Sequence, residues 1–404
     1  MSAPQDFRDA PVALDAALAR ILPDIPPIAT EPVVLASALG RVLREDVVSP
    51  IDVPGADNSA VDGYAIHAAD LAAEGETRLP VIGRAAAGHP FAGPVAPGTA
   101  LRIFTGALMP AGPDTVVMQE DCRVEGDMIM LPAGLKRGSN RRHAGEDVKA
   151  GATVLATGLR LRPQEIGLAA AVGRRELTVA RPLNVAVFSA GDELLGESNR
   201  QGLCALLCQL GLHAEDLGRL SSQRAGIESA LSSAAANNDV ILTSGDISLG
   251  EEDHLGAAVA ALGLFRLWHL AIKPGRIIAL GRLDTPRPVT VIGLPGNPLA
   301  AIVGFVCMVR PILLRLLGAR NLLSQRYRMR AGFEHRKKSG RREFLRARLG
   351  QSEENEVAML AYPAQGSGIL SSLVAADGLV ELPEALTRVE RGSMVDFLPF
   401  GEVG

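Results

Sequence analysis

Asp239-Val-Ile-Leu-Thr-Ser-Gly-Asp-Ile-Ser-Leu-Gly-Glu-Glu-Asp253 is an apolar run that breaks into a glycine-punctuated, acid-rich turn. The run is short, unbroken and rich in β-branched residues, as in a strand buried on both faces. The same grammar occurs before and after it. Asn184-Val-Ala-Val-Phe-Ser189 leads into Ala190-Gly-Asp-Glu-Leu194, and Val289-Thr-Val-Ile-Gly293 leads into Leu294-Pro-Gly-Asn-Pro298 and a helix expected over 299–317. Strands alternating with helices predict a mostly parallel sheet with right-handed crossovers. All three turns then fall at carboxyl ends of strands, where open α/β sheets bind ligands.

The flanking texture differs. Val12-Ala-Leu-Asp-Ala-Ala-Leu-Ala-Arg-Ile-Leu22 has amphipathic spacing, and residues 8–50 as a whole look helical. Residues 51–150 carry Gly, Pro and short apolar runs such as Leu101-Arg-Ile-Phe104 and Thr115-Val-Val-Met118, which predict short strands. Residues 325–404 contain no long amphipathic helix, and segments such as Glu343-Phe-Leu-Arg-Ala-Arg348 suggest a small barrel or sandwich.

Composition narrows the function classes. The 404 residues are 47% hydrophobic and 21% charged, with a formal net charge of -4. These values fit a folded, several-domain chain. They give no general attraction to nucleic acid or anionic membrane. The basic run His335-Arg-Lys-Lys-Ser-Gly-Arg-Arg342 lacks interleaved aromatics for base stacking and is expected to be a solvated turn. No signal-peptide core opens the chain, and the longest apolar stretch, 299–309, is too short to span a bilayer. Cys122, Cys204, Cys208 and Cys307 form no CxxC pair, so buried free thiols in a reducing cytoplasm are expected. HExxH, GxSxG and Walker motifs are absent from the sequence.

Several segments carry chemistry. Gly245 and Gly250 would let backbone approach a ligand, and amides of the 244–253 turn could hold phosphate. Asp246, Glu251, Glu252 and Asp253 are hard oxygen donors suited to Mg²⁺, or they merely favour a helix N-terminus. Asp192 and Glu193 admit the same two readings. Lys273-Pro-Gly-Arg276 sets two cations around a stiff turn, an anion site or solvated charge. In Leu294-Pro-Gly-Asn-Pro-Leu299, Asn297 is placed to cap the helix that Pro298 starts. Asp57-Asn-Ser-Ala-Val-Asp-Gly-Tyr-Ala65 and Gly145-Glu-Asp-Val148 gather acids that local propensity leaves unexplained.

Taken in order, Asp57–Ala65, Phe104-Thr-Gly-Ala107, Val116-Val-Met-Gln-Glu120, Gly145-Glu-Asp147, Ser189–Leu194, Ser244–Asp253, Ala271-Ile-Lys-Pro-Gly275, Gly293–Pro298 and Gly340-Arg-Arg-Glu-Phe-Leu-Arg346 resemble the MoeA family, which includes the gephyrin and plant Cnx E domains. The resemblance implies a multidomain α/β protein with a MogA-like doubly wound domain, an elongated helical and β-rich N-terminal region and a C-terminal β-barrel. Its expected boundaries are 1–50 with 148–182 (a discontinuous helical linker), 51–147 (β-rich), 183–324 (MogA-like) and 325–404 (barrel). It implies a homodimer that takes adenylylated molybdopterin and molybdate, releases AMP and uses Mg²⁺. It further implies possible exchange with other cofactor-biosynthesis proteins and molybdoenzyme recipients, and no nucleic acid or membrane partner. Catalytic candidates by this match are Asp62, Thr105, Asp147, Glu193 and Asp253. Ser244, Gly245, Ser248, Gly250, Lys273, Pro274, Pro295, Gly296, Asn297, Pro298, Arg346 and Ser367 are substrate-binding candidates, and Glu193, Asp246 and Asp253 are metal candidates. The alternative is a degenerate relative that binds molybdopterin or serves as a scaffold.

Overall fold

The computed structural model describes residues 10–191, 196–245, 254–351, 355–366 and 368–403. Its centre is a six-stranded sheet in the order His213–Arg219, Asn184–Ser189, Val240–Ser244, Val289–Leu294, Ile277–Leu283 and Gly263–His269. The first four strands are parallel, in a register that sets Val187 beside Leu242 and Leu242 beside Ile292. The last two are antiparallel, so the expected mostly parallel sheet carries an antiparallel edge.

Alternation along each strand splits the apolar side chains between two faces. Val185, Val187, Leu242 and Ile292 face one core with Leu203, Leu207, Phe305 and Ile312. Ala186, Phe188, Ile241 and Val291 face the other with Ile227, Leu231, Leu255 and Val259. The three inner parallel strands are accordingly mostly apolar, while the edge strand His213–Arg219 is largely exposed. Pro298–Leu316 is a continuous helical stretch, 19 residues long and apolar enough to cross a membrane, yet 83% of it is buried inside the protein. Its middle, Phe305–Val309, is π-helical.

The N-terminal expectation of a helical 8–50 stretch needs correction. Only Leu14–Ile21 forms an α-helix there, and its buried face packs into the α/β core through Leu14, Leu18 and Ile21. Thr30–Val34 is instead a strand, antiparallel to Glu176–Ala180, and Val47–Val48 pairs with Thr153–Leu155. The second segment adds the α-helix Pro163–Ala171, so among the described residues the discontinuous region mixes two α-helices with short strands. Its own core contains Leu43, Val47, Leu155, Leu161 and Val179.

The β-rich region forms a second six-stranded sheet, ordered Thr115–Met118, Gly63–Ile66, Ala100–Ile103, Thr77–Ala85, Met128–Leu131 and Arg123–Glu125. Gly63 is fixed by close approach: a Cβ there would lie 1.9 Å from the Val117 carbonyl oxygen. The C-terminal strands run Val357–Ala361, Arg342–Gln351, Gly378–Leu382, Met394–Pro399 and Tyr327–Arg330. The bridge from Ala331 to Met359 returns the last of these to the first and closes the barrel.

The basic run 335–342 is an exposed turn, as expected, only over residues 338–340; Lys337 and Arg342 on either side are buried and paired. The Arg342 guanidinium reaches Asp15, Glu381 and Glu384 at 2.7, 2.9 and 3.1 Å. Lys337 Nζ donates to the carbonyls of Pro383 and Leu386 at 2.9 and 2.8 Å. The partners lie far along the chain, so local sequence could not reveal them.

Candidate functional site

Three strand ends converge at the carboxyl edge of the parallel sheet. The Ala190 amide donates to the Ser244 carbonyl at 2.9 Å, and the Gly245 amide to the Leu294 carbonyl at 3.0 Å. Gly245 has a φ of +104°, and a Cβ there would stand 2.1 Å from the Ala190 carbonyl oxygen. Only glycine fits such an approach. Ser244 is buried, and its hydroxyl donates to the Pro295 carbonyl at 3.1 Å. Asn199, in the following helix Gly196–Gln209, donates to Ser244 Oγ at 2.9 Å and to the Gly296 carbonyl at 2.6 Å. Buried Asn199 thus joins the turn after the second of these strands to the turn after the third. Sequence reading did not single it out; its one signal is an amide on the helix that follows the first glycine turn.

Ser244, Gly245, Pro295, Gly296, Asn297 and Pro298 are therefore assembled in one place. Asn297 has a structural duty as well, since its side chain accepts from the Ala300 amide at 3.2 Å and caps the helix starting at Pro298. Glu193, Asp246, Ser248, Gly250 and Asp253, expected to complete this edge, lie outside the described residues, as does Ser367.

Around that helix start lies a cavity of about 350 Å³, lined by Lys273, Pro274, Leu299, Glu343, Arg346 and Gln365 among others. Gly275, at a φ of +88°, brings the Lys-Pro-Gly turn against Ala300. The opposite wall belongs to the barrel: Ile272–Lys273 pairs in parallel with Arg342 and Glu343. Arg346 is fully buried and donates to the Ala364 and Gly366 carbonyls at 2.7 and 3.1 Å, while its Nε has no partner among the described residues. Burial holds the Arg346 pKa below its ordinary value, though a guanidinium remains charged. Lys273, half-exposed, donates to Glu343 at 3.2 Å. Lys273, Pro274 and Arg346 are thus brought together, and Glu343, not singled out from sequence as a functional residue, lines the same cavity and pairs with Lys273.

Asp62 and Thr105 form a separate pair in the β-rich sheet. The Thr105 amide and hydroxyl both donate to Asp62 Oδ1 at 2.8 Å. Those two bonds, with the nearby Arg102 charge, hold the carboxyl below its ordinary pKa. Arg102 lies between the Tyr64 and Phe104 rings, 5.0 and 4.7 Å from their centroids, and donates to the Gly63 carbonyl at 3.1 Å. Asp147 is exposed; its amide donates to the Val53 carbonyl, and its carboxylate bonds to no described residue. None of Asp62, Thr105 and Asp147 lines the 273–346 cavity. The cluster at Asp57 also finds its explanation here: its carboxylate binds Arg141 and accepts from the Ala144 amide, pinning the 141–144 segment. These bonds keep Asp57 below its ordinary pKa.

Comparison with known proteins fits this layout. Residues 12–173 match the MoeA N-terminal region (domain I and II), 186–315 a probable molybdopterin binding domain, and 328–400 the MoeA C-terminal region (domain IV). The Haemophilus influenzae molybdopterin molybdenumtransferase is 34% identical, over 97% of this chain and 99% of its own. Molybdopterin molybdenumtransferase 2 of Mycobacterium tuberculosis is 32% identical, over 89% of this chain and 93% of its own. The crystal structure of the Pyrococcus horikoshii molybdopterin biosynthesis MoeA protein superposes with a TM-score of 0.79 at 29% identity, covering 96% of this chain and all of that one. With matches that run through every structural unit described above, the chain belongs to the MoeA family.

Proposed function

We propose that this chain is a molybdopterin molybdenumtransferase, which inserts molybdate into adenylylated molybdopterin and releases AMP. The observation that carries this reading is the end-to-end match, at 34% identity, to a relative of that name. The geometry supports it in two places. The converged strand ends, tied together by Asn199, lie at the carboxyl edge where α/β sheets hold phosphate-bearing ligands. The adjoining cavity sets Lys273 and Arg346 where a tetrahedral oxyanion can be held, the guanidinium by fork-like donation.

Releasing AMP breaks a phosphoanhydride, a step governed by positioning and charge neutralisation more than by covalent chemistry. In this reading Ser244 and Gly245 hold the phosphate side, Lys273 and Arg346 hold molybdate, and Asp62 with Thr105 orients the nucleotide-bearing substrate. Mg²⁺, when bound, would neutralise phosphate charge. Among the described residues no three His, Cys, Asp or Glu side chains gather as ligands, so its candidates remain Glu193, Asp246 and Asp253. The four cysteines are free thiols, but only Cys307 is buried and Cys208 is exposed, which corrects the expectation of buried thiols; their free state supports a cytoplasmic setting. With adenylylated molybdopterin, molybdate and Mg²⁺, AMP release should depend on molybdate and fall to background with chelator. AMP release that persists in metal-free buffer removes Mg²⁺ from the reading; none under any condition removes the activity.

The reading includes a homodimer with shared sites, supported by Asp62 and Thr105 lying away from the cavity wall on the same chain. Asp62→Asn and Asp253→Asn chains, each inactive alone, should recover about a quarter to a half of wild-type turnover when mixed, because one intact composite site forms per heterodimer. Sedimentation as a monomer, or silent heterodimers, sinks this arrangement.

A further inference from the structure

Glu343 is only 1% exposed and carries more cationic neighbours than a buried carboxylate needs. Lys273 Nζ and His335 Nε2 both stand 3.2 Å from its Oε2. Arg341 Nε is 3.4 Å from its Oε1, yet Oε1 has no hydrogen-bond partner. These neighbours come from three different elements: the Lys273 strand, the strand His335–Arg336, and the turn before Arg342. The charged groups facing the carboxylate are thus Lys273, His335 and Arg341, with Lys337 also within electrostatic reach. Lys273 has the freest side chain of the three bonded or paired groups, at 49% exposed against 21% for His335 and 26% for Arg341. It is also the one that lines the cavity beside Arg346.

A lysine ammonium has three donors, but the one given to a buried carboxylate holds the group against that wall and away from an anion deeper in the cavity. Two states follow. With His335 neutral, Lys273 is the hydrogen-bonding cation at Oε2, beside the Arg341 charge at Oε1, and it is drawn toward the wall. With His335 protonated, the imidazolium balances Glu343 at the same oxygen, and the flexible Lys273 can turn into the cavity. Histidine changes charge in the range where this matters, and molybdate keeps its own charge there. We propose that His335 and Glu343 are positioning residues that set the oxyanion affinity of the cavity by holding or releasing Lys273. The inference rests on the cavity being the molybdate site.

The sign follows directly. Molybdate binding favours the state with His335 protonated, so by linkage it raises the affinity of His335 for its proton. Affinity therefore strengthens as pH falls through the histidine range. Arg346 and Arg341 stay charged throughout and set a constant background.

The test is calorimetric titration of the full chain with molybdate alone, between about pH 5.5 and 8. The wild-type Kd should tighten roughly tenfold from the alkaline to the acidic end, the size of a one-unit coupling. His335→Gln keeps a neutral hydrogen-bonding side chain and should bind at the weak, alkaline level at every pH. Glu343→Gln should bind tightly at every pH, because Lys273 is then never retained. Lys273→Met should weaken binding and flatten it. A wild-type profile flat in pH but sensitive to Lys273→Met overturns the positioning role while leaving the molybdate site in place. So does an unchanged slope in His335→Gln, which stands as the decisive variant should Glu343→Gln fail to fold. No molybdate binding at any pH overturns the molybdate site itself and this inference with it.

Discussion

Gly245→Ala is expected to abolish AMP release and to lower the unfolding midpoint of the α/β unit. The new Cβ would stand 2.1 Å from the Ala190 carbonyl oxygen, at a φ of +104° that side chains rarely adopt. Relief requires parting the first and second strand ends, and that breaks the bonds from Ala190 to Ser244 and from Gly245 to Leu294. Overpacking and backbone strain each cost about 1–3 kcal/mol. Together they correspond to a midpoint drop on the order of 10 °C for a unit of this size. Gly202 provides the control. It lies inside the helix Gly196–Gln209, where a Cβ would meet nothing within 4 Å. Gly202→Ala should therefore raise stability by up to about 1 kcal/mol through helix propensity. Scanning calorimetry and AMP release on both variants decide the matter: wild-type behaviour in Gly245→Ala would contradict the close approach.

Arg342→Met should destabilise the chain by about 3–5 kcal/mol, as removal of one member of a buried ionic set does. Arg342 joins Asp15 of the first helix to Glu381 and Glu384 of the barrel, and its side chain is only 11% exposed. Burial alone would lower its pKa, but the surrounding carboxylates outweigh it and raise the pKa instead. Glu381, 8% exposed, would keep its bond to Arg326 and lose the other. Adding Glu381→Leu should not recover the loss, because it removes the carboxylate that Arg326 binds and strands that charge in turn. Denaturant midpoints for the two single variants and the double variant test this. A loss below about 1 kcal/mol would place the group among ordinary surface pairs.

The two sets of residues also show where sequence reading succeeds. Val185–Phe188, Val240–Leu242 and Val291–Leu294 advertise buried parallel strands because both faces are covered and no polar position interrupts them. The glycines at their ends mark close backbone approach for the same local reason. Thr30–Val34 looked helical in context because its partner, Glu176–Ala180, lies almost 150 positions away and adds nothing to local periodicity. Arg342, Lys337 and Glu343 were hidden likewise: a charged residue discloses its burial only through distant partners. Asp62 with Thr105, and Lys273 with Arg346, were reached through family resemblance, since neither pair has a spacing that local chemistry could interpret. Asn199 escaped because a single amide on a helix carries no pattern.

The cavity wall is divided between two structural units. Lys273 and Pro274 come from the α/β part and Arg346 and Gln365 from the barrel, with the pairing of Ile272–Lys273 to Arg342–Glu343 as the seam. Neither part alone has both cations. In the proposed reading, an oxyanion bound there would act as a clasp, because the free energy of its capture would also be free energy of keeping the two units docked. Occupancy and interdomain rigidity are then one thermodynamic quantity, and the protein is stiffest when it is loaded.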